Sequence, residues 1–169
     1  GDPNKHPEFQ EILKICKYYR IVPNLTTSGW RLTDNEIHNI KDYCGAVAVS
    51  WYSRLINGAE SNTATIEAVK RLVGEGCTTN IHYVISNQTI GEAIYRLEND
   101  LFPRGINAVI FILYKPVGYG QKNKMVSQIE LLEKFLMLAI KKHHFRVGFD
   151  TCFTPAILRW CMDDIPVIC

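Results

Sequence analysis

The stretch NAVIFILY, residues 107–114, gives the strongest indication of the fold of this chain. It is almost continuously apolar and rich in β-branched and aromatic residues, which favour strands. A second apolar run of strand length, GAVAVSW at 45–51, is followed by a polar loop at 52–62. Continuously apolar strands are typical of parallel sheets, because helices cover both faces of such a sheet. The two runs therefore predict buried strands of a parallel sheet.

Helical segments alternate with strands on both sides of these runs. Further strands are predicted at 21–27, 78–86 and 145–149, and helices at 9–19, 32–44, 63–76, 89–102 and 125–144. Successive strands begin roughly 24 to 38 residues apart, which is the repeat of a βα unit. This order predicts an α/β fold of parallel strands with outer helices, either a whole or partial βα barrel or an open doubly wound sheet. The periodicity is lost after Asp150.

Several helix ends carry recognisable capping residues. Thr33 with Glu36, and Thr89 with Glu92, have the spacing of a capping box, in which each side chain accepts a hydrogen bond from the other residue's backbone. Gly74 and Gly76 follow the apolar period of the third helix, where glycine is the usual residue of a helix C-cap. The helices at 32, 63 and 89 are therefore expected to have defined ends.

Composition narrows the class of protein. The 169 residues are 47% apolar and 21% charged, with a formal net charge of +2, which argues against a nucleic-acid or membrane partner. No apolar stretch is long enough to cross a bilayer. The six cysteines form no CxxC pair, and no secretory signal is visible, so reduced thiols in a cytoplasmic protein are expected.

Polar residues follow most of the predicted strands. In α/β folds, ligands bind at the carboxyl ends of the strands, so this edge of the sheet is the expected site. The residues there are Thr26, Thr27, Ser28, Gly29, Ser50, Trp51, Ser53, Ser86, Asn87, Tyr114, Lys115, Pro116, Gly118, Asp150 and Cys152. His82 lies within a strand and is predicted to be a hydrogen-bonded core residue. The chain has neither GxGxxG nor GxxxxGK[ST], so the usual glycine-rich phosphate loops are absent.

An ordered series of segments carries a resemblance to a known family. The segments are GDPNKHPEFQEIL at 1–13, NLTTSGWRLTDNEI at 24–37, GAVAVSWYS at 45–53, TNIHYVIS at 79–86 and NAVIFILYKPVGYG at 107–120. Together they resemble the radical S-adenosylmethionine enzymes, and the opening residues are similar to the end of that family's Gly-Gly-Glu-Pro motif. The resemblance covers residues 1–150 and implies a partial βα barrel whose N-terminal strands are missing.

The resemblance also implies a cofactor site. S-adenosylmethionine would contact Gly1, Asp2 and Pro3 through its methionine end, with Thr27 and Ser28 near the same pocket. Ser50 would hydrogen-bond the ribose or the carboxylate, and Tyr114, Lys115 and Pro116 would border adenine. In the family, a CxxxCxxC loop binds the [4Fe–4S] cluster that cleaves the cofactor reductively and starts hydrogen abstraction by a 5′-deoxyadenosyl radical.

The chain departs from the family pattern in two respects. Asp2 stands where the motif has Glu, and the CxxxCxxC loop is absent from these 169 residues. The cluster ligands are therefore expected upstream, in a longer parent enzyme, and the chain alone is expected to be inactive. Residues 151–169 resemble the start of a SPASM-like extension, in which Cys152, Cys161 and Cys169 would bind an auxiliary cluster.

Other interpretations remain open on the sequence alone. The chain could be a non-catalytic α/β binding or scaffold module, or a different βα-barrel enzyme. The sequence does not identify the substrate, although family members with a cysteine-rich extension often modify peptides. A partial barrel exposes a sheet edge and apolar surface, so the chain is also expected to associate with itself or to be covered by its own tails.

Overall fold

The structure, a computed structural model, describes residues 2–118 and 124–160. Within these ranges the helices are α1 (Phe9–Tyr18), α2 (Asp34–Tyr43), α3 (Thr63–Gly74), α4 (Ile90–Glu98), α5 (Ile129–Ala139) and α6 (Thr154–Trp160). The strands are β1 (Asn24–Thr27), β2 (Ala46–Ser50), β3 (Leu55–Ile56), β4 (Ala59–Glu60), β5 (Thr79–Ile85), β6 (Ala108–Leu113) and β7 (Arg146–Phe149). Short 3-10 turns at Pro3–Lys5 and Thr151–Phe153 complete the described secondary structure.

The main sheet has the strand order β1-β2-β5-β6-β7 and is mostly parallel. Strand β1 runs parallel to β2, with Thr27 beside Val49, and β2 runs parallel to β5, with Ser50 beside His82. Helices connect these strands along the chain. The predicted α/β class is therefore confirmed, and the arrangement is that of a partial βα barrel.

The chain divides into two compact units. Unit 1 comprises Gly1–His82 and Pro103–Val109, and unit 2 comprises Tyr83–Phe102 and Ile110–Cys169. In unit 1, Val47, Val49 and Ile81 have no exposed surface, and α3 packs against β2. In unit 2, rings pack edge to face around Phe111, which lies 4.8 Å from the ring of Phe135. Each unit therefore buries apolar side chains of its own.

The structure confirms two of the predicted helix ends, the start of α2 and the end of α3. Thr33 caps α2 by accepting from the backbone of Glu36, and the Glu36 carboxylate accepts from the backbone of Thr33, so this capping box is confirmed. After α3, Gly76 adopts φ +80°, and its N–H donates to Val73 while the N–H of Cys77 donates to Leu72. These two bonds are those of a Schellman motif, which favours glycine at this position.

The second capping box is wrong. The hydroxyl of Thr89 donates to the carbonyl of Val84 at 2.7 Å and accepts from the backbone of Ser86 at 2.8 Å, so it does not cap α4. Glu92 instead forms an ion pair with Arg96 one helical turn later, at 2.9 Å. Because Arg96 is fully buried, the carboxylate compensates a charge that would otherwise be costly to bury.

The polar loop predicted at 52–62 contains a small antiparallel hairpin of β3 and β4. Asn57 and Gly58 form its turn, with φ of +51° and +78°. Positive φ at both central residues is the geometry of a type I′ turn, for which Asn-Gly is a strong sequence signal. None of the helices in the described part of the chain combines the length and apolarity needed to cross a membrane.

Candidate functional site

Asp2 joins the start of the chain to the carboxyl end of β1. One carboxylate oxygen accepts from the backbone N–H of Ser28 at 2.9 Å, and the other accepts from the hydroxyls of Ser28 at 2.5 Å and Thr27 at 3.2 Å. The structure thus brings three of the predicted site residues into direct contact. Both carboxylate oxygens of Asp2 therefore accept hydrogen bonds from the end of β1 and the residue that follows it.

The turn after β1 is tightly organised. The hydroxyl of Thr27 accepts from the N–H of Gly29 at 3.1 Å, and the hydroxyl of Ser28 accepts from the N–H of Trp30 at 3.2 Å. Gly29 adopts φ +75°, and a Cβ at this position would lie 2.6 Å from the Cβ of Ala68 on α3. Glycine is therefore required both by the backbone and by the close approach of the helix.

Pro3–Lys5 is held against the start of α2 by Glu36. The Glu36 carboxylate accepts from the side-chain amide of Asn4 at 3.0 Å and from the ammonium of Lys5 at 2.8 Å. Burial raises the pKa of Glu36, but hydrogen bonds from Lys5, Thr33 and Asn4 outweigh it and lower the pKa to about 2. The carboxylate is therefore ionised at neutral pH and fixes the turn that contains Pro3.

Asn4 was not predicted as a site residue. It is only 4% exposed, and its Oδ1 is buried without a hydrogen-bond partner among the described residues. A buried acceptor without a partner is energetically costly, and a bound donor would remove that cost. Asparagine is common in turns, so an asparagine after Asp-Pro is expected to be an ordinary turn residue. The sequence therefore carries no local signal that Asn4 is buried.

Three polar residues, Ser28, Ser50 and His82, lie near one another in the order β1, β2 and β5, and we call them the strand-end row. Ser50 of β2 pairs with His82 of β5, and Ser28 directly follows Thr27, the last residue of β1, which pairs with Val49. Because paired side chains of a parallel sheet point to the same face, Ser50 and His82 share one face. All three members are half-buried, and Ser50 makes no side-chain hydrogen bond within the described residues. The row is therefore a polar surface that runs from the turn after β1, across the carboxyl end of β2, to the middle of β5.

The opposite face of the same strands is apolar. Val49 and Ile81, one residue before Ser50 and His82, are fully buried. Asn80, two residues before His82 on β5, lies on the polar face. Its side-chain oxygen accepts a hydrogen bond from the side-chain amide of Asn107 at 2.8 Å. The sequence predicts His82 to be a hydrogen-bonded core residue, but the structure places it half-buried on this polar face. The alternation of Asn80, Ile81 and His82 is the signal that could have revealed it.

The electrostatics of the strand-end row favour binding over acid–base catalysis. Burial lowers the pKa of His82 below its usual value, so the imidazole is neutral at pH 7. The row itself offers two hydroxyls and one imidazole, and the nearby carboxylate of Asp2 is already occupied by Ser28 and Thr27. Such a surface can hydrogen-bond a polar ligand that carries hydroxyl, carboxylate or ammonium groups.

Unit 2 contains a separate cluster after β6 and β7. The ammonium of Lys115 lies 3.0 Å from the carboxylate of Asp150, which also accepts from the N–H of Leu113 at 3.3 Å. The hydrogen bond to Asp150 raises the pKa of Lys115 above its usual value, and one to Cys152 acts in the same direction. Lys115 is therefore a paired cation, although it lies on the exposed side of the cluster.

The remaining predicted residues are distributed as follows. In unit 2, the N–H of Tyr114 donates to the carbonyl of Ile85 at 2.8 Å, and Pro116 is half-buried. Cys152 is an exposed free thiol. Gly1, Cys161 and Cys169 lie outside the described residues. Within the described ranges, no three His, Cys, Asp or Glu side chains are grouped closely enough to hold a metal ion.

Comparison with known proteins identifies structural relatives. No family model matches the chain, and no curated protein matches it. SuiB from Streptococcus suis is 17% identical with a TM-score of 0.66 over 98% of this chain. SuiB bound to S-adenosylmethionine matches 91% of the chain at 17% identity and a TM-score of 0.65, and SuiB bound to the precursor peptide SuiA also matches.

A second relative comes from Bacteroides vulgatus. A domain of its pyruvate-formate lyase-activating enzyme is 14% identical with a TM-score of 0.61, and the match covers 88% of this chain and 94% of that domain. By contrast, the chain spans 41% of the length of SuiB. At these identities the likeness concerns the fold alone: this chain shares the fold of SuiB and of the Bacteroides vulgatus domain.

Proposed function

We propose that this chain holds S-adenosylmethionine as part of a radical S-adenosylmethionine enzyme. The observation that carries the proposal is the strand-end row of Ser28, Ser50 and His82, which lies beside the turn fixed by Asp2. The fold shared with SuiB, a protein with a structure bound to S-adenosylmethionine, supports the same ligand here. S-adenosylmethionine is the source of the 5′-deoxyadenosyl radical in such enzymes.

The polar atoms of unit 1 fit the methionine end of this ligand. Its ammonium group needs acceptors, and the buried Oδ1 of Asn4 is one without a partner among the described residues. The turn at Asp2 and Pro3 adds backbone carbonyls, while Thr27 and Ser28 keep that turn in place. Ser50 has a hydroxyl without a hydrogen bond in the described chain, and we assign it to the ribose or the carboxylate. Gly1 would extend the same surface.

Residues after β6 are proposed to border adenine. The Lys115 ammonium is paired with Asp150, so we assign Tyr114, Lys115 and Pro116 a role through their backbone groups rather than through the lysine charge. The exocyclic amine and ring nitrogens of adenine are matched by backbone carbonyl and N–H groups. This assignment rests on the resemblance of the NAVIFILYKPVGYG segment to the family.

The described residues do not fit a [4Fe–4S] cluster. Such a cluster is held by cysteine thiolates, and no suitable group occurs in the described ranges. Cys44 and Cys77 precede β2 and β5, so they lie at the strand ends opposite Ser50 and His82. We therefore propose that the ligands belong to another part of a longer enzyme and that this chain alone does not carry out the parent reaction.

The substrate and the C-terminal segment are further parts of the proposal. A precursor peptide bound to SuiB supports a peptide as the substrate class. We propose that residues 1–150 form the barrel part and that 151–169 begin an extension in which Cys152, Cys161 and Cys169 bind an auxiliary cluster. The alternative is a binding module of the same fold without radical chemistry, because no group of side chains among the described residues could hold a metal ion.

Binding of S-adenosylmethionine by isothermal titration calorimetry tests the proposal. Ser50→Ala and Asn4→Ala are each expected to weaken binding about tenfold, which corresponds to the loss of one hydrogen bond. Ser127→Ala is the matched control, because this exposed serine lies in unit 2 and its side chain hydrogen-bonds to Asn87. Equal affinity for all three variants would reject the assigned site, and no binding by the unmodified chain would favour the module without radical chemistry.

A further inference from the structure

Two thiols of unit 1 lie at the amino ends of neighbouring strands. Cys44 ends α2 two residues before β2, and Cys77 follows α3 two residues before β5. Both are half-buried free thiols. They line one cavity of about 90 Å³, whose walls also include Ile40 and Val47. The cavity lies at the strand ends opposite the strand-end row, so the proposed cofactor site does not use these thiols.

The strand register predicts that the two backbones lie at disulfide distance. Val47 pairs with Thr79, and the N–H of Val47 donates to the carbonyl of Thr78 at 2.9 Å. Continued by two residues to the segments that precede the strands, this register places Gly45 level with Cys77 and Cys44 one residue away along the strand direction. With strands about 4.8 Å apart and a rise of about 3.3 Å per residue, we expect a Cα separation of about 6 Å. Disulfides have Cα separations of about 4.4–6.8 Å.

We propose that Cys44 and Cys77 are a dithiol pair that forms a disulfide under oxidising conditions. With a small-molecule disulfide as oxidant, one thiolate first attacks it, releasing one thiol and leaving a mixed disulfide. The second thiolate then attacks the mixed disulfide, forms the Cys44–Cys77 bond and releases the second thiol. Two protein thiols are oxidised and one disulfide is reduced to two thiols, so atoms and electrons balance.

The surroundings of the pair make this reaction slow at neutral pH. Burial raises the pKa of Cys44 to about 11, and the negative charges of Cys77 and Cys16 add to this effect. Burial also raises the pKa of Cys77, with Lys41 opposing the increase and Glu75 and Asp42 adding to it. Since only the thiolate attacks, the rate should rise about tenfold per pH unit below these pKa values. The raised pKa values of the two thiols therefore protect the pair from oxidation at neutral pH.

Oxidised glutathione is a suitable probe. The chain would be incubated with it at pH 7 and pH 9, alkylated and digested with trypsin without reduction. The expected product links peptide 42–54, which carries Cys44, to peptide 72–96, which carries Cys77. It should form about 100-fold faster at pH 9 than at pH 7. Because the bond closes a loop of about 33 residues, the midpoint of thermal unfolding should rise by about 10 °C.

Variants separate this pair from other thiols. Cys16→Ser is the matched control, because Cys16 also neighbours Cys44, and it should leave the linked peptide and the rise in melting temperature unchanged. Cys77→Ser should abolish both, and Cys44→Ala should do the same without adding a buried hydroxyl. A product linking peptide 15–17 to 42–54, glutathione adducts on separate thiols, or no reaction at pH 9 would each overturn the proposal.

Discussion

Replacement of Gly29 by alanine should destabilise unit 1 through two separable effects. Gly29 has φ +75°, a region that costs an alanine about 1 kcal/mol. The new Cβ would lie 2.6 Å from the Cβ of Ala68, closer than carbon atoms approach without repulsion, so the turn or α3 must move. Overpacking of this kind typically costs about 1–3 kcal/mol. Gly29→Ala should therefore cost about 2–4 kcal/mol in total.

Gly58→Ala is the matched control for the backbone effect. Gly58 has almost the same φ, +78°, but nothing lies within 4 Å of the position of its Cβ. The variant should therefore lose only about 1 kcal/mol. For a chain of this length, 1 kcal/mol corresponds to a change of about 2–4 °C in the midpoint of thermal unfolding. The two variants should thus differ by about 2–12 °C when circular dichroism follows their unfolding.

A double-mutant cycle isolates the contact with α3. Ala68→Gly alone should cost about 1 kcal/mol, because glycine lowers the stability of a helix interior. In combination with Gly29→Ala it should remove the overlap, so the double variant should be about 1–3 kcal/mol more stable than the sum of the single effects. Equal destabilisation by Gly29→Ala and Gly58→Ala, or strict additivity in the cycle, would refute the proposed contact.

Three further outcomes are expected. Glu36 has a pKa of about 2 against its usual 4.5, so its stabilising hydrogen bonds are fully present above about pH 5 and are lost as the pH falls towards 2. Glu36→Gln should therefore lower the free energy of unfolding, measured with denaturant, by roughly 1–2 kcal/mol at pH 7, a range that includes solvent screening. At pH 2 the same variant should cost almost nothing. Asp150→Asn should lower the pKa of Lys115 towards 10.5, measured by NMR titration of the methylated lysine, and an unchanged pKa would contradict the ion pair. Ile15 on α1 and Tyr19, the residue that caps this helix, are 57% and 67% exposed. Replacing both by lysine should shift any self-associated chain towards monomer in sedimentation velocity, and an unaltered distribution would exclude this face as the contact.

The order of helices and strands could be predicted because each signal was local. The runs at 45–51 and 107–114 became β2 and β6, and the capping box of Thr33 with Glu36 formed as its spacing predicted. The same spacing at Thr89 gave no cap, since the hydroxyl there bonds back to the end of β5 and Glu92 neutralises a buried arginine. Sequence spacing cannot show such competition, because the competing partners are set by tertiary packing.

Parts of the candidate site were predictable for a different reason. Thr27, Ser28 and Ser50 follow apolar strands, so their position at the ligand end of the sheet followed from the fold class alone. The contact of Asp2 with Ser28 needed the three-dimensional path of the chain, since 25 residues and α1 separate them. Asn4 was missed because its burial, and not its residue type, makes its unpartnered oxygen notable.

Strand register explains why Ser50 and His82 lie on the polar face of the sheet. If β2 were displaced by one residue, Ser50 would face the helices and Val49 would face the polar side, because side chains alternate along a strand. The burial of Val47 and Val49 of β2, the strand against which α3 packs, opposes that displacement, since each would lose about 1.5–3 kcal/mol on exposure. The apolar residues therefore position Ser50 and His82 without touching a ligand. It follows that substitutions at Val49 should act mainly on stability, whereas those at Ser50 should act mainly on binding.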